Sequence, residues 1–147
     1  MNDDTTHYAG FWIRVAASMI DSLLIVAITL PIVYNIYGAA YFDSTALFAG
    51  PADVVITWVF PAVAVILFWV YRSATPGKML LGLTIVDANT GGKPSTAQFV
   101  LRYVGYFVST IPLLLGLIWV AFDPRKQGWH DKMASTVVIY GRRGPKQ

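Results

Sequence analysis

The sequence contains no cysteine and no glutamate, and only 13% of its 147 residues are charged. Without cysteine, the chain can form neither a disulfide framework nor a thiolate metal site. Its two histidines, His7 and His130, lie far apart and show no spacing typical of metal ligands. We therefore expect neither a metal ion nor another cofactor.

The scarcity of charge accompanies an excess of apolar residues, which make up 56% of the chain and give a mean hydropathy of +0.56. An average globular chain carries about 25% charged residues. The net charge of +3 could indicate nucleic-acid binding, but the basic residues flank long apolar blocks, where they orient a chain in a membrane. The composition predicts a single-domain integral membrane protein that contacts lipid and no nucleic acid.

Three apolar blocks predict the membrane segments. Residues 13–37 and 51–71 are each long enough to cross a bilayer, which needs about 20 residues. The first block follows an acidic N-terminus and is longer than the apolar core of a signal peptide, so we expect it to remain as an anchor. The third block, residues 97–122, contains Arg102 and is interrupted by Pro112.

The basic residues predict the orientation. The connection between the first two blocks has no lysine or arginine and should face outward, whereas residues 72–96 and the tail, residues 123–147, are basic and should be cytoplasmic. A third block that crossed once would put the tail outside. We therefore favour a re-entrant hairpin broken at Pro112 over a single crossing, with both termini on the cytoplasmic side of the plasma (inner) membrane.

The cytoplasmic segments carry local structure signals. Ser95 and Gln98 form an S-x-x-Q capping box that begins a helix, and Thr75 is a candidate N-cap before a proline. Residues 83–87 and 136–140 are rich in β-branched residues. We expect these two stretches to pair in a small cytoplasmic sheet, in a protein that is otherwise all-α.

Two charges lie in the first block, although a charge at the bilayer centre costs roughly 2.5–3.5 kcal/mol on insertion scales. Arg14 and Asp21 are seven residues apart and share one helix face, but an axial gap of about 10 Å prevents direct pairing. Ser18 between them keeps that face small enough for another helix to approach. We expect Asp21 to meet a partner from elsewhere, with Arg102 and Lys132 as candidates.

Two interpretations of these charges remain open. In one, Asp21 is a proton- or cation-binding carboxylate that faces a polar cavity. In the other, Arg14, Asp21, Arg102 and Asp131 form a structural charge network that fixes helix register. We expect Asp131 to cap the short helix that follows it, and His130 to be an interfacial residue rather than a proton relay.

Catalytic motifs are lacking. The Gly-Lys pair in "TPGKML" does not belong to a phosphate-binding G-x-x-x-x-G-K-[ST] loop. The sequence also shows no Ser-His-Asp spacing, metal box or Gly-rich dinucleotide loop, so we do not expect an enzyme.

Three motifs in order, "RVAASMIDSLLI", "TPGKMLLGLTIVD" and "FDPRKQGWHDKMASTVVI", resemble the RDD family of small membrane proteins. The resemblance covers about residues 8–140. The family is named for one arginine and two aspartates, and the resemblance implies that these are Arg14, Asp21 and Asp131. It also implies two full crossings, and a transport role has been proposed for the family, with some members linked to cation/proton antiport.

We therefore expect a component for transport of an ion or small solute, including cation/proton exchange, that acts through the Arg/Asp network. The alternative is a non-transporting accessory or scaffold subunit of a membrane complex. Because so small a bundle can hardly enclose a pathway alone, we expect a homo-oligomer or other membrane proteins as partners.

Overall fold

The computed structural model describes residues 6–141 as a set of helices with one small sheet. The prediction of a mainly helical chain with one β-pairing is confirmed. In chain order, the elements are α1 (Phe11–Tyr37), α2 (Ala40–Asp43), α3 (Pro51–Arg72), α4 (Pro76–Leu80), β1 (Leu83–Asp87), α5 (Thr96–Thr110), α6 (Leu115–Ala121), α7 (Trp129–Met133) and β2 (Thr136–Tyr140).

Helices α1 and α3 are long and apolar enough to cross a membrane. With 27 and 22 residues they measure about 40 and 33 Å, compared with a hydrocarbon core of about 30 Å. Most side chains of α1 point away from the rest of the protein, and its buried residues are Arg14, Ala17 and Val33. The two predicted spanning blocks are therefore both helices with outward apolar surfaces, as contact with lipid requires.

The third apolar block is divided into two helices. The predicted capping box begins α5, with the Ser95 N–H 2.8 Å from Gln98 Oε1 and the Gln98 N–H 3.2 Å from Ser95 Oγ. The chain bends sharply just after Pro112, where Leu113 and Leu114 have φ values of 53° and 64°. Helices α5 and α6 consequently meet at an angle of 113°.

Two glycines allow the short helices to pack closely against α5. A Cβ on Gly116 would lie 2.6 Å from Ser109 Cα, and one on Gly105 would lie 2.8 Å from His130 Cα. Any side chain at either position would push the backbones apart. Helices α6 and α7 thus both lie against α5 at near-contact distance.

The predicted pairing of residues 83–87 with 136–140 is present: strands β1 and β2 pair antiparallel, with Leu83 opposite Tyr140 and Asp87 opposite Thr136. The N-terminal segment joins this sheet, since the Ala9 N–H donates to the Val138 carbonyl at 2.9 Å; the sequence did not predict that contact. The inner face of the sheet lies in one hydrophobic core with Trp69 and Phe99. This core draws the start of α1, the end of α3 and the tail to one end of the molecule.

Both ends of the broken third block also lie at this end. Gln98 Nε2 donates to Asp87 Oδ2 at 2.7 Å, and Arg125 Nη2 donates to the Ala88 carbonyl at 2.7 Å. Both acceptors lie at the end of β1. The last six residues of the predicted basic tail, 142–147, lie outside the described residues.

Candidate functional site

Asp131 lies in the first turn of α7 and is completely buried. Its Oδ2 accepts hydrogen bonds from Arg14 Nη1 at 2.6 Å and from the Gly128 N–H at 3.0 Å. Its Oδ1 is bound by Arg102 Nη1, and the Thr136 hydroxyl lies 3.5 Å away. One carboxylate therefore pairs with two guanidinium groups, leaving the trio with a net charge of +1, and also caps its own helix.

Arg14 connects three parts of the chain. Besides its contact with Asp131, its Nε donates to the Ala9 carbonyl at 3.0 Å and its Nη2 donates to the Lys126 carbonyl at 2.5 Å. Every nitrogen of the guanidinium is thus engaged. The side chain holds the N-terminal segment and the loop before α7 at the start of α1.

Arg102 lies fully buried between Asp131 and an aromatic cluster. Its Nη1 also donates to Thr136 Oγ1 at 2.8 Å. Its Cζ lies 5.4 Å from the ring centroid of Trp69 and 5.7 Å from that of Tyr106, distances typical of cation–π contacts. The aromatic faces supply part of the stabilisation that water would otherwise give to this charge.

The expectation that His130 is interfacial is wrong, because only 3% of its surface is exposed. Its ring stacks on Tyr106 at a centroid distance of 4.1 Å, and its Nε2 lies 3.4 Å from Asp131 Oδ2. The absence of a Cβ at Gly105 and Gly128 makes room for the histidine. Burial lowers the pKa of His130 to about 3, so the ring is neutral at pH 7.

The ionisation of Asp131 follows from its neighbours. Burial alone raises the pKa of its carboxyl, but the charges of Arg102 and Arg14 outweigh burial and hold that pKa well below its usual range. The carboxylate is therefore ionised throughout the physiological pH range.

Asp21 belongs to a separate contact. Its Oδ2 accepts from the Thr75 hydroxyl at 2.5 Å and its Oδ1 accepts from the Gly77 N–H at 2.7 Å. The proposed pairing of Asp21 with Arg102 or Lys132 is wrong, since Arg102 binds Asp131 and Lys132 Nζ binds Asp123 at 2.6 Å.

Asp21 therefore acts as a cap for α4 that is supplied by another helix. Thr75 occupies the predicted N-cap position, but its hydroxyl donates to Asp21 instead of accepting a backbone N–H. A Cβ on Gly77 would overlap the Ala17 carbonyl oxygen, so only glycine allows α4 to lie this close to α1. Ser18 is no partner of Asp21, because its hydroxyl donates to the Arg14 carbonyl.

Sequence reasoning missed Lys78, which follows Gly77 on α4. It is 5% exposed, and its ammonium makes no hydrogen bond or ion pair with any residue between 6 and 141. Burial lowers the pKa of Lys78 from its ordinary value. The signal for Lys78 in the sequence was its position directly after Gly77 in "TPGKML". In the structure, Asp21 caps α4 and so holds Lys78 against α1.

A cavity of about 500 Å³ lies between α1 and α6, beside this charge cluster. Its polar lining includes Arg14, Lys78, Tyr106 and His130, and the remaining lining is mainly apolar. Among residues 6–141, no three histidine or aspartate side chains come together in a group that could hold a metal ion. The arrangement can instead offer a cationic group to a molecule that enters between the two helices.

Comparison with known proteins gives one family and several relatives. The sequence model of the RDD family matches residues 8–135. The uncharacterized membrane protein YteJ of Bacillus subtilis (strain 168) is 33% identical over 138 residues, which cover 92% of this chain and 83% of YteJ. The uncharacterized protein YxaI of the same organism is 30% identical over 148 residues, covering 90% and 97% of the two chains.

A shorter match is to the uncharacterized protein RP437 of Rickettsia prowazekii (strain Madrid E). It is 40% identical over 74 residues, half of this chain and 40% of the other. No solved structure matches this sequence.

Replacing the shared carboxylate should destabilise the protein strongly. Asp131→Asn removes the negative charge that Arg14 and Arg102 share, and breaking a buried pair in this way costs about 3–5 kcal/mol. We expect a loss of that size in the free energy of unfolding, measured by circular dichroism in mixed detergent micelles. The control Asp43→Asn, at an exposed position, should leave the free energy within about 0.5 kcal/mol of wild type; equal effects of the two substitutions would contradict this role.

The buried histidine should make stability depend on pH. The pKa of His130 is lowered from 6.5 to about 3. Its contribution to the free energy of unfolding is therefore complete above pH 6.5. That contribution declines on acidification, because the unfolded chain takes up a proton that the folded protein does not. The expected slope approaches about 1.4 kcal/mol per pH unit below about pH 6. His130→Gln should remove this slope between about pH 5 and 6, whereas His7→Gln, at an exposed position, should keep it; an unchanged slope in His130→Gln would refute the assignment.

Proposed function

The chain belongs to the RDD family, and on that premise we propose that it is a component for the transport of an ion or small solute. The observation that carries the proposal is the cavity of about 500 Å³ beside the buried charge cluster. Intramembrane ionisable groups that border a cavity are typical of ion and solute pathways. Arg14, Lys78 and His130 all line this cavity.

The membrane arrangement that suits this function has α1 and α3 as full crossings and α5–α6 as a re-entrant hairpin. In support of the hairpin, both ends of the broken segment contact the same end of β1, through Gln98 and Arg125. Arg125, Lys126 and Lys132, the basic residues in the described part of the tail, belong to that end, and by the positive-inside rule this supports a cytoplasmic location for it. Both termini then face the cytoplasm of the plasma (inner) membrane.

In this proposal Asp21 couples a proton to the movement of α4. The Asp21 carboxyl oxygens accept two hydrogen bonds, from Thr75 and Gly77. A proton on either oxygen would replace an acceptor with a donor and weaken the contact that holds α4. Since α4 carries Lys78 into the cavity lining, loading and release of a solute would follow the protonation of Asp21, as cation/proton exchange requires.

Two or more chains would form the complete pathway. One chain offers two long helices and a bent pair, and the apolar side chains of α1 and α3 remain largely outward. A second copy or another membrane protein would close the pathway around the cavity, so we propose a homo-oligomer or a membrane complex as the working unit.

A second candidate is an accessory or scaffold subunit without transport activity. The observation that favours it is the complete satisfaction of Asp131, whose two oxygens are held by Arg14, Arg102 and the Gly128 N–H. A carboxylate held this firmly fixes a structure rather than carrying an ion.

Ion flux into proteoliposomes separates the two candidates. Asp21→Asn can still accept from the Gly77 N–H and can donate to Thr75, but it cannot take up a proton. We expect wild-type protein and the control Asp43→Asn, at an exposed position, to couple a Na⁺ or K⁺ gradient to proton movement, read by an internal pH dye. Asp21→Asn should show only the leak of protein-free liposomes.

Normal exchange by Asp21→Asn would exclude Asp21 as the proton carrier. Wild-type liposomes that move no cation or proton would exclude exchange altogether. If Asp21→Asn instead dissociates an oligomer of a protein that transports nothing, the scaffold function is supported.

A further inference from the structure

We propose that the cavity between α1 and α6 binds an anionic amphiphile, whose negative head group contacts Lys78 and whose acyl chain lies along the apolar wall. The inference deepens the proposed function and rests on it for the fate of the bound molecule. The binding itself depends on the residues that line the cavity.

The size and lining of the cavity suit an acyl chain. Its volume of about 500 Å³ falls within the range of about 300–1,000 Å³ that is typical of small-molecule sites. One wall comes from α1, with Val15 and Met19, and the facing wall comes from α6, with Leu117 and Ile118. Both helices belong to apolar membrane segments, so a lipid tail can enter between them.

The polar end of the cavity holds a cation without a partner. Only 5% of the surface of Lys78 is exposed, and none of the three N–H donors of its ammonium forms a hydrogen bond with a residue between 6 and 141. Burying an unpaired ammonium is costly, and the cost falls when a negative group binds to it. The absence of a side chain at Gly77 lets α4 lie directly against Ala17 of α1, which buries the neighbouring Lys78 beside the cavity.

The charges around the cavity favour a ligand with one negative charge. The two arginines share Asp131. The two carboxyl oxygens of Asp21 accept hydrogen bonds from the Thr75 hydroxyl and the Gly77 N–H. His130 adds no charge at pH 7 because burial lowers its pKa to about 3. Among the described residues, Lys78 therefore forms no ion pair with an acid, and Asp21 acts on its charge only through space.

This charge pattern separates the ligand classes. A ligand whose head group carries no negative charge would leave the ammonium unpaired. A carboxylate or phosphate accepts a charge-assisted hydrogen bond from Lys78. Free fatty acids and anionic phospholipids both carry such a group on an acyl chain, so they share the chemistry that the cavity recognises.

Native mass spectrometry of the purified full chain in a non-ionic detergent can measure this binding. The probes are palmitate, dipalmitoyl phosphatidylglycerol and dipalmitoylglycerol, which compare a free carboxylate, an anionic phospholipid and a neutral lipid without a carboxylate or phosphate. We expect one palmitate or one phosphatidylglycerol per chain, retained about tenfold better than dipalmitoylglycerol, the factor expected for one charge-assisted hydrogen bond. Which of the two anions is retained identifies the source of the ligand.

Matched lysine variants test the role of the ammonium. Lys78→Met should lose the preference for the anionic probes, and Lys78→Arg should keep it. Lys93→Met makes the same change at an exposed loop position and should bind like wild type. Equal retention of all three probes, or a full preference in Lys78→Met, would overturn the proposal.

A cavity-filling variant keeps the proposal testable if Lys78→Met does not fold. Leu117→Trp leaves Lys78 in place and fills the space for the acyl chain, so it should retain none of the probes; undiminished retention would overturn the proposal.

Binding without any ion flux would leave this inference standing and remove the proposed transport function. Flux without binding would do the reverse.

Discussion

A single buried carboxylate organises this protein. Asp131 binds Arg14, 117 positions away in the sequence, and Arg102, 29 positions away. Each arginine lies in an apolar membrane segment, where an unpaired charge would be costly. Pairing both with one acid, together with the hydrogen bond to Thr136 and the aromatic faces around Arg102, lets α1, α5 and α7 meet without exposing any of these charges.

The cavity is a consequence of this arrangement. Arg14 fixes the start of α1 beside α7, and α6 lies against α5 through Gly116. Helices α1 and α6 then face each other across a space that neither fills. Asp21 brings α4 to the polar end of this space by capping it from α1, and α4 contributes Lys78. The two acids therefore have different structural roles. Asp131 holds the helices together, and Asp21 positions Lys78.

Local signals predicted most of the fold. The lengths of the apolar blocks, the Ser95–Gln98 box and the β-branched runs act within a few residues, so each could be read directly from the sequence. The pairing of the charges could not be read in this way. Which groups Asp21 contacts depends on how α1 packs against α4, and that packing depends on Gly77. The burial of His130 likewise depends on space left by Gly105 and Gly128, which no periodic pattern indicates.

The central claim is that Asp131 and Arg14 stabilise the fold as one unit. A double-mutant cycle with Arg14→Gln and Asp131→Asn measures this coupling directly, as the difference between the free energy of unfolding of the double variant and the sum of the single effects. We predict a coupling of about 2 kcal/mol or more, since residues in one buried charge network couple by up to about 3 kcal/mol. Single effects that add to within about 0.5 kcal/mol would contradict the claim.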